Sequence, residues 1–264
     1  MTRQSTLPRI PAGAPPAIEA DDALFLDFDG TLTELAATPD AVRVDRRVPA
    51  LLDRLAHLLG GAVAVISGRP LFQLVRYLHG YEGAIAGIYG LERRGADGRL
   101  VIPVPVPELR AARRAMADFA ASRSGVMLEE KGLALAFHFR ADPRLGPDCA
   151  AFAERVARES GGRLVTSAGK MVIEIHPSAA GKDRAIAAFL DRPPFLGRRP
   201  VFVGDDRPDE TAFSAVNAAG GVSVLVGARD ATSAQYAVSD VPAVIDWLAG
   251  QATELARDRG ADGK

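Results

Sequence analysis

The sequence has almost no cysteine: Cys149 is the single one in 264 residues. One thiol cannot build an internal disulfide framework, so the chain reads as a protein of a reducing compartment, the cytoplasm. Net charge is also scarce, at −1. That balance removes any general electrostatic reason to bind nucleic acid or an anionic membrane. No apolar run approaches the ~20 residues that span a bilayer. The opening "MTRQSTLPRIPAGAPPAIEADD" has no apolar core ahead of its prolines and does not read as a secretory signal. Hydrophobic residues, by contrast, make up 48%. They suffice for one large domain or two modest ones.

Short apolar runs alternate with helical patterns. "ALFL" (23–26), "AVAVI" (62–66), "VFV" (201–203) and "VSVLV" (222–226) are continuous, as strands buried on both faces tend to be. "RVPALLDRLAHLL" (47–59) and "DRAIAAFL" (183–190) carry apolar residues at helical spacing. The alternation predicts an α/β fold with a doubly wound, Rossmann-like parallel sheet. The middle of the chain differs. Helices are expected over 107–123 and 146–160, strands over 126–130, 133–140, 162–169 and 171–177. Helix–strand–strand, twice over, predicts an inserted α+β cap. The expected organisation is a loose N-terminal tail at 1–20, a core from 21–102 and 178–250, the cap at 103–177, and a C-terminal tail at 251–264.

Ligands of open parallel sheets bind at the carboxyl ends of the strands. "LFLDFDGTLTEL" puts Asp27 and Asp29 just past the first strand, with Gly30 to allow a sharp turn. "SGR" (67–69) follows the second run, "GDDRPDE" (204–210) follows "VFV", and Lys182 opens a helix. Taken singly, each has an ordinary explanation: a turn at Asp29–Gly30, a strand-to-helix cap at Ser67–Gly68, helix N-caps at Asp205 and Asp206. Taken together, they collect Asp27, Asp29, Asp205, Asp206 and Asp209 with one lysine along one sheet edge. So many carboxylates need a cation, and oxygen ligands beside a phosphate favour Mg²⁺.

"DFDGT", "SGR", the helix-leading lysine and "GDD…DE" resemble the four sequential motifs of the haloacid dehalogenase superfamily of phosphotransferases. The resemblance implies Asp27 as nucleophile, Asp29 as general acid and base, and Ser67 as a hydrogen-bond donor to the phosphoryl oxygens. It implies Lys182 as counter-charge and a metal site of Asp27, Asp205 and the Asp29 backbone carbonyl. Gly68 and Arg69 are expected to contact substrate, and Asp206 and Asp209 to support the site from behind.

Period-2 alternation sorts the cap residues. Leu133, Leu135, Phe137 and Phe139 share one face, as do Met171, Ile173 and Ile175. That apolar face is expected under the two helices. The opposite face carries Glu129, Lys131, His138, Arg140, Glu174 and His176. It reads either as a solvated face, ordinary for antiparallel sheets, or as a lid over the active site, with donors and acceptors suited to sugar hydroxyls.

"EEKGLALAFHFR", "GKMVIEIHP", "FVGDDRPDETAF", "GIYGLE" and "SVLVGARDATSAQYAVSDVPAVIDWL" resemble trehalose-6-phosphate phosphatases, over about residues 24–248. The resemblance implies a sugar grip at Glu129, Lys131, Arg140, Lys170 and Glu174, a sugar phosphate as substrate, and functional pairing with a trehalose-6-phosphate synthase. Tyr89, Pro208 and His176 depart from the histidine, threonine and arginine usual there. The alternative within the superfamily is a phosphatase of sucrose phosphate or mannosyl-phosphoglycerate. A phosphomutase is a more distant reading, and so is a non-catalytic sensor, which should lose the nucleophile or a metal ligand, whereas this chain retains Asp27, Asp29, Lys182 and Asp205.

Overall fold

The structure, a computed structural model, describes residues 13–36, 41–229 and 231–262. Most of the N-terminal tail expected at 1–20 lies outside the described residues.

Strand β1 (Asp22–Leu26) is buried at every position. Then come α1 (Arg47–Leu58), β2 (Val63–Ile66), α2 (Leu71–Tyr77), β3 (Ala84–Gly87), β4 (Glu92–Arg94) and β5 (Leu100–Val101). A block of different character follows: α3 (Pro107–Ala121), β6 (Met127–Glu130), β7 (Leu135–His138), α4 (Gly146–Glu159), β8 (Leu164–Gly169) and β9 (Val172–Pro177). The first pattern then resumes with α5 (Lys182–Leu190), β10 (Arg199–Gly204), α6 (Glu210–Ala218), β11 (Val222–Val226), β12 (Tyr236–Val238) and α7 (Val241–Asp262).

Among the described residues, one sheet has eight strands in the order β12-β11-β10-β1-β2-β3-β4-β5. It is parallel from β12 to β3, and β4 and β5 close it antiparallel. The continuous apolar runs have a direct cause: both faces are covered. Leu24 and Leu26 point to the side of Leu52, Leu55, Leu74 and Leu248. Ala23 and Phe25 point to the side of Phe189 and Phe213. Successive strand residues face opposite ways, so β1 anchors helices on both faces and the sheet is doubly wound. The ends of β1, β2 and β10 are in register, with Leu26 beside Val65 and Val203. Asp27, Ser67 and Asp205 therefore leave the sheet on one edge.

The sequence reads 251–264 as a tail that starts helical and frays, whereas α7 continues to Asp262. Gln251, Ala252 and Leu255 are buried, and the Gln251 side chain accepts a 2.6 Å hydrogen bond from the Ile18 amide. The helix is held by a segment 233 residues away in sequence, which no local pattern reveals. Leu255→Ala should cost about 2–4 kcal/mol by the cavity rule, read as a lower urea midpoint at constant slope. A shift under ~0.5 kcal/mol, the size of a surface change, would return the segment to the status of a tail.

The second sheet is antiparallel, in the order β6-β7-β9-β8. Helices α3 and α4 cover one face, packing Leu109, Met116, Phe119, Cys149 and Val156 on Leu135, Phe137, Ile173 and Ile175. Two residues of the expected apolar face are elsewhere. Leu133 packs with Ile88 and Ala134. It precedes β7 in a tight turn, where the Leu133 amide donates to Lys131 and the Lys131 amide to Ala134, so alternation does not reach it. Met171 lies in the two-residue connection between the paired Gly169 and Val172. Its φ is +61° and it is 42% exposed. Tight hairpins use left-handed residues, and the turn takes Met171 off the face.

Candidate active site

The β1 edge turns at once. The Asp27 amide donates to Val203 O at 2.9 Å, and the Gly30 amide to Thr33 O at 2.7 Å. Gly30 has φ +82°, and a Cβ there would fall 2.2 Å from Asp205 Oδ2. Only glycine lets this loop lie against the Asp205 carboxylate. Gly204 is equally constrained, since a Cβ would meet Asp209 Cγ at 2.5 Å.

Lys182, the first residue of α5, is buried between two carboxylates. Its Nζ lies 2.7 Å from Asp27 Oδ1 and 2.5 Å from Asp209 Oδ1. Burial works against the ammonium, but Asp209 and Asp27 outweigh it and raise its pKa. The other Asp209 oxygen accepts from the amides of Asp205 and Asp206 at 2.8 and 2.9 Å. Asp209 thus ties the β10 loop to the α5 lysine. The Asp27 pKa is raised well above the ordinary carboxylate value, first by burial and then by Asp209 and Asp205, with Lys182 opposing. The Asp205 pKa is raised too, mainly by burial, with Lys170 pulling the other way.

Asp27, Asp205 and Asp209 each offer an oxygen within 4.8 Å of the others. Asp209 is already committed on both oxygens. Asp205 Oδ1 is buried without a partner, while its Oδ2 accepts from Lys170 Nζ at 2.6 Å. An unpartnered buried carboxylate oxygen beside a second carboxylate fits a hard divalent cation. The Asp29 side chain stands apart from this cluster. It forms a two-pronged ion pair with Arg69, at 2.7 and 2.8 Å. Arg69 is expected to contact substrate and also lines the cavity, but here its fork holds Asp29. The same guanidinium lies over Tyr77 and Phe28, 5.3 and 5.8 Å from their ring centres. Ser67 is buried after β2 and its Oγ accepts from the Arg69 amide at 3.1 Å.

The cap contributes the opposite wall. Lys131 pairs with Glu174, and Glu129 bonds His138 at 2.7 Å. Burial disfavours the Glu129 carboxylate, but His138 and Lys131 outweigh it and lower its pKa. Lys131 is likewise held charged against burial by Glu174 and Glu129. Lys170 reaches in from the β8–β9 hairpin, as its position next to the last cap strand leads one to expect.

One cavity of about 600 Å³ joins the two walls. Asp27, Asp29, Ser67, Gly68, Arg69 and Lys182 line it from the core side, with Asp205 and Asp206. Glu129, Lys131, Arg140, Lys170 and Glu174 line it from the cap, together with His138. Asp209 sits behind this wall, fully buried. His176 departs from expectation. It is buried, bonded to Ser167 Oγ at 2.7 Å, and packed on Tyr89 with ring centres 5.0 Å apart. Strand alternation gives its side of the sheet but not that a core residue covers it. Sequence reasoning marks Tyr89 only as a departure from the family pattern, and passes over Arg229. Tyr89 lines the cavity, and its only sequence signal is the unusual residue in "GIYGLE". Arg229 donates to Asp205 O at 2.9 Å and to Asp206 Oδ1 at 3.2 Å; a lone arginine in a loop gives no signal.

Comparison with known proteins points to one family. The trehalose-phosphatase family profile matches residues 25–242. A probable trehalose-phosphate phosphatase of Sinorhizobium fredii is 42% identical over 205 residues, covering 78% of this chain and 77% of that protein. The trehalose-6-phosphate phosphatase of Escherichia coli is 37% identical over 245 residues, covering 92% and 91%. Among solved structures, the C-terminal domain of the Candida albicans trehalose-6-phosphate phosphatase superposes with a TM-score of 0.77. It is 20% identical, and the match covers 91% of this chain and 98% of that one.

Proposed function

Because the chain belongs to the trehalose-phosphatase family, on the haloacid dehalogenase fold, we propose that it hydrolyses trehalose 6-phosphate to trehalose and phosphate. The observation that carries this reading is the single cavity in which the Asp27–Lys182–Asp205 cluster faces Glu129, Lys131 and Glu174. The first set suits a phosphoryl group, and the second suits sugar hydroxyls.

In this reading the cap, residues 103–177, closes over a core formed by 21–102 and 178–250. An Asp27 oxygen attacks phosphorus, and the bond from phosphorus to the sugar oxygen breaks. Asp29, once released from its ion pair with Arg69 and protonated, gives the leaving oxygen its proton. Asp29 then takes a proton from the water that attacks the aspartyl-phosphate, and phosphate departs with Asp27 restored. Lys182 balances the charge of Asp27 and of the phosphoryl group, and Ser67 donates to a phosphoryl oxygen. A divalent cation, Mg²⁺ in this reading, held by Asp27, Asp205 and the Asp29 carbonyl, would offset the negative charge that repels the nucleophile. Glu129, Lys131, Arg140, Lys170 and Glu174 hold the sugar. Among the described residues no helix is long and apolar enough to cross a membrane. The reading extends to a cytoplasmic enzyme supplied by a trehalose-6-phosphate synthase.

Phosphate release from a panel of sugar phosphates tests it. Release should be selective for trehalose 6-phosphate, lost with EDTA and restored by Mg²⁺. Equal release from sucrose phosphate or mannosyl-phosphoglycerate would keep the core chemistry and discard the assignment of the cap. Full activity in EDTA would discard the cation.

A further inference from the structure

Tyr89 belongs to the core yet ends in the cap. Ile88, Tyr89 and Gly90 follow β3 with φ of +44°, +53° and +92°. Left-handed backbone is costly for a β-branched and an aromatic residue, and such strain persists where the surroundings enforce it. Here the surroundings are the two loops that matter most. The Ile88 amide donates to Arg69 O and the Tyr89 amide to Ser67 O, each at 2.9 Å. The Gly181 amide, just before Lys182, donates to Tyr89 O at 2.9 Å. The strained turn is clamped to the Ser67–Arg69 loop on one side and to the return crossing from the cap on the other.

The side chain then crosses the boundary. The phenol lies flush on Gly68, where a Cβ would sit 2.7 Å from Tyr89 Cζ and Oη. Gly68 is therefore bare for a reason beyond substrate contact. The ring packs on His176 of β9. The hydroxyl donates to Glu174 Oε2 at 2.5 Å, while Lys131 takes Glu174 Oε1. Burial and the Glu174 carboxylate both raise the Tyr89 pKa, so the hydroxyl keeps the proton it donates. Both carboxylate oxygens are thus held, one from the cap and one from the core.

We propose that Tyr89 is a positioning residue for the sugar: it fixes Glu174 in the orientation that receives the leaving group, and ties that recognition to the loop bearing Ser67 and Gly68. The inference rests on the trehalose 6-phosphate reading above. It goes further by making selectivity depend on a residue outside the cap sheet. A cap displaced from the core would leave Glu174 with Lys131 alone and one oxygen free to turn.

Tyr89→Phe removes the hydroxyl and keeps the ring that packs on His176 and Gly68. Two substrates are compared, trehalose 6-phosphate and p-nitrophenyl phosphate, which has no sugar. The ratio of their kcat/KM values cancels general damage to the fold or to the chemistry. Loss of a hydrogen bond to a charged group should lower that ratio roughly 10- to 100-fold, chiefly through KM for the sugar phosphate. In a Glu174→Ala background the same change should have almost no further effect, because the partner is gone. An unchanged ratio in the single variant would overturn the inference, as would an equal effect with and without Glu174. Failure of the wild-type protein to hydrolyse trehalose 6-phosphate would instead sink the substrate reading, and the inference with it.

Discussion

Asp27→Asn should abolish turnover, by roughly 10⁴-fold or more as for loss of a covalent nucleophile, while leaving the protein folded. The second half follows from the charges around the residue. Asp27 is buried beside Lys182, Asp209 and Asp205, and its pKa is raised because burial and the two neighbouring carboxylates disfavour its charge. An amide removes that penalty. Lys182 keeps Asp209 at 2.5 Å, so no ammonium is stranded. The expected result is a variant that stays folded, with a urea midpoint close to the wild-type value when both are measured in EDTA, and which releases no phosphate from either a sugar phosphate or p-nitrophenyl phosphate. Appreciable residual activity would remove Asp27 as the nucleophile. Loss of activity together with loss of folding would mean that the residue serves the structure first.

Asp209→Ala should do the opposite and strike stability hardest. Asp209 is fully buried. One oxygen holds Lys182 and the other holds the amides of Asp205 and Asp206. Alanine strands the buried Asp205 amide and the half-buried Asp206 amide, and leaves the ammonium to Asp27 alone. Breaking a buried pair costs about 3–5 kcal/mol, a large share of the ~5–15 kcal/mol that stabilises a typical domain. The measurement is the urea midpoint at constant slope. A cost under ~1 kcal/mol would show that the β10 loop does not depend on this carboxylate. Asp209→Asn should fall between the two, because the amide oxygen still accepts but the charge facing Lys182 is gone. Activity should fall in both variants, since the loop that carries Asp205 loses its anchor.

The contrast between two aspartates in one cluster illustrates what local sequence conveys. Asp27, Asp205 and Asp209 are each legible from spacing alone: strand, turn, carboxylate. Their different jobs are not. Asp209 is the residue with both oxygens committed and Asp205 the one with an oxygen to spare. That distinction exists only once β1, β10 and the start of α5 meet. Asp29 is similar. The sequence pairs it with Asp27, whereas the fold pairs its side chain with Arg69, 40 residues away.

In the cap, alternation places Glu129, Lys131, His138 and Glu174 on one face because antiparallel strands with one covered face enforce a period of two. The same rule misplaces Leu133 and Met171, which lie where the strand has ended, and places His176 without its cover. The short β3, Ala84–Gly87, has Ile85 as its one residue of high strand preference, and it leads into the turn that carries Tyr89.

The sequence by itself determined the α/β class, the four strand-end motifs and the polar face of the cap. These depend on residues near one another along the chain and on the fixed periods of helix and strand. The tertiary structure decided the rest: which carboxylate is left unpartnered, which cation guards it, that α7 is anchored to Ile18, and that Tyr89 crosses from core to cap to hold Glu174. Each of those is a contact between distant segments, set by how two sheets and their helices pack, and packing is written in no single stretch of the chain.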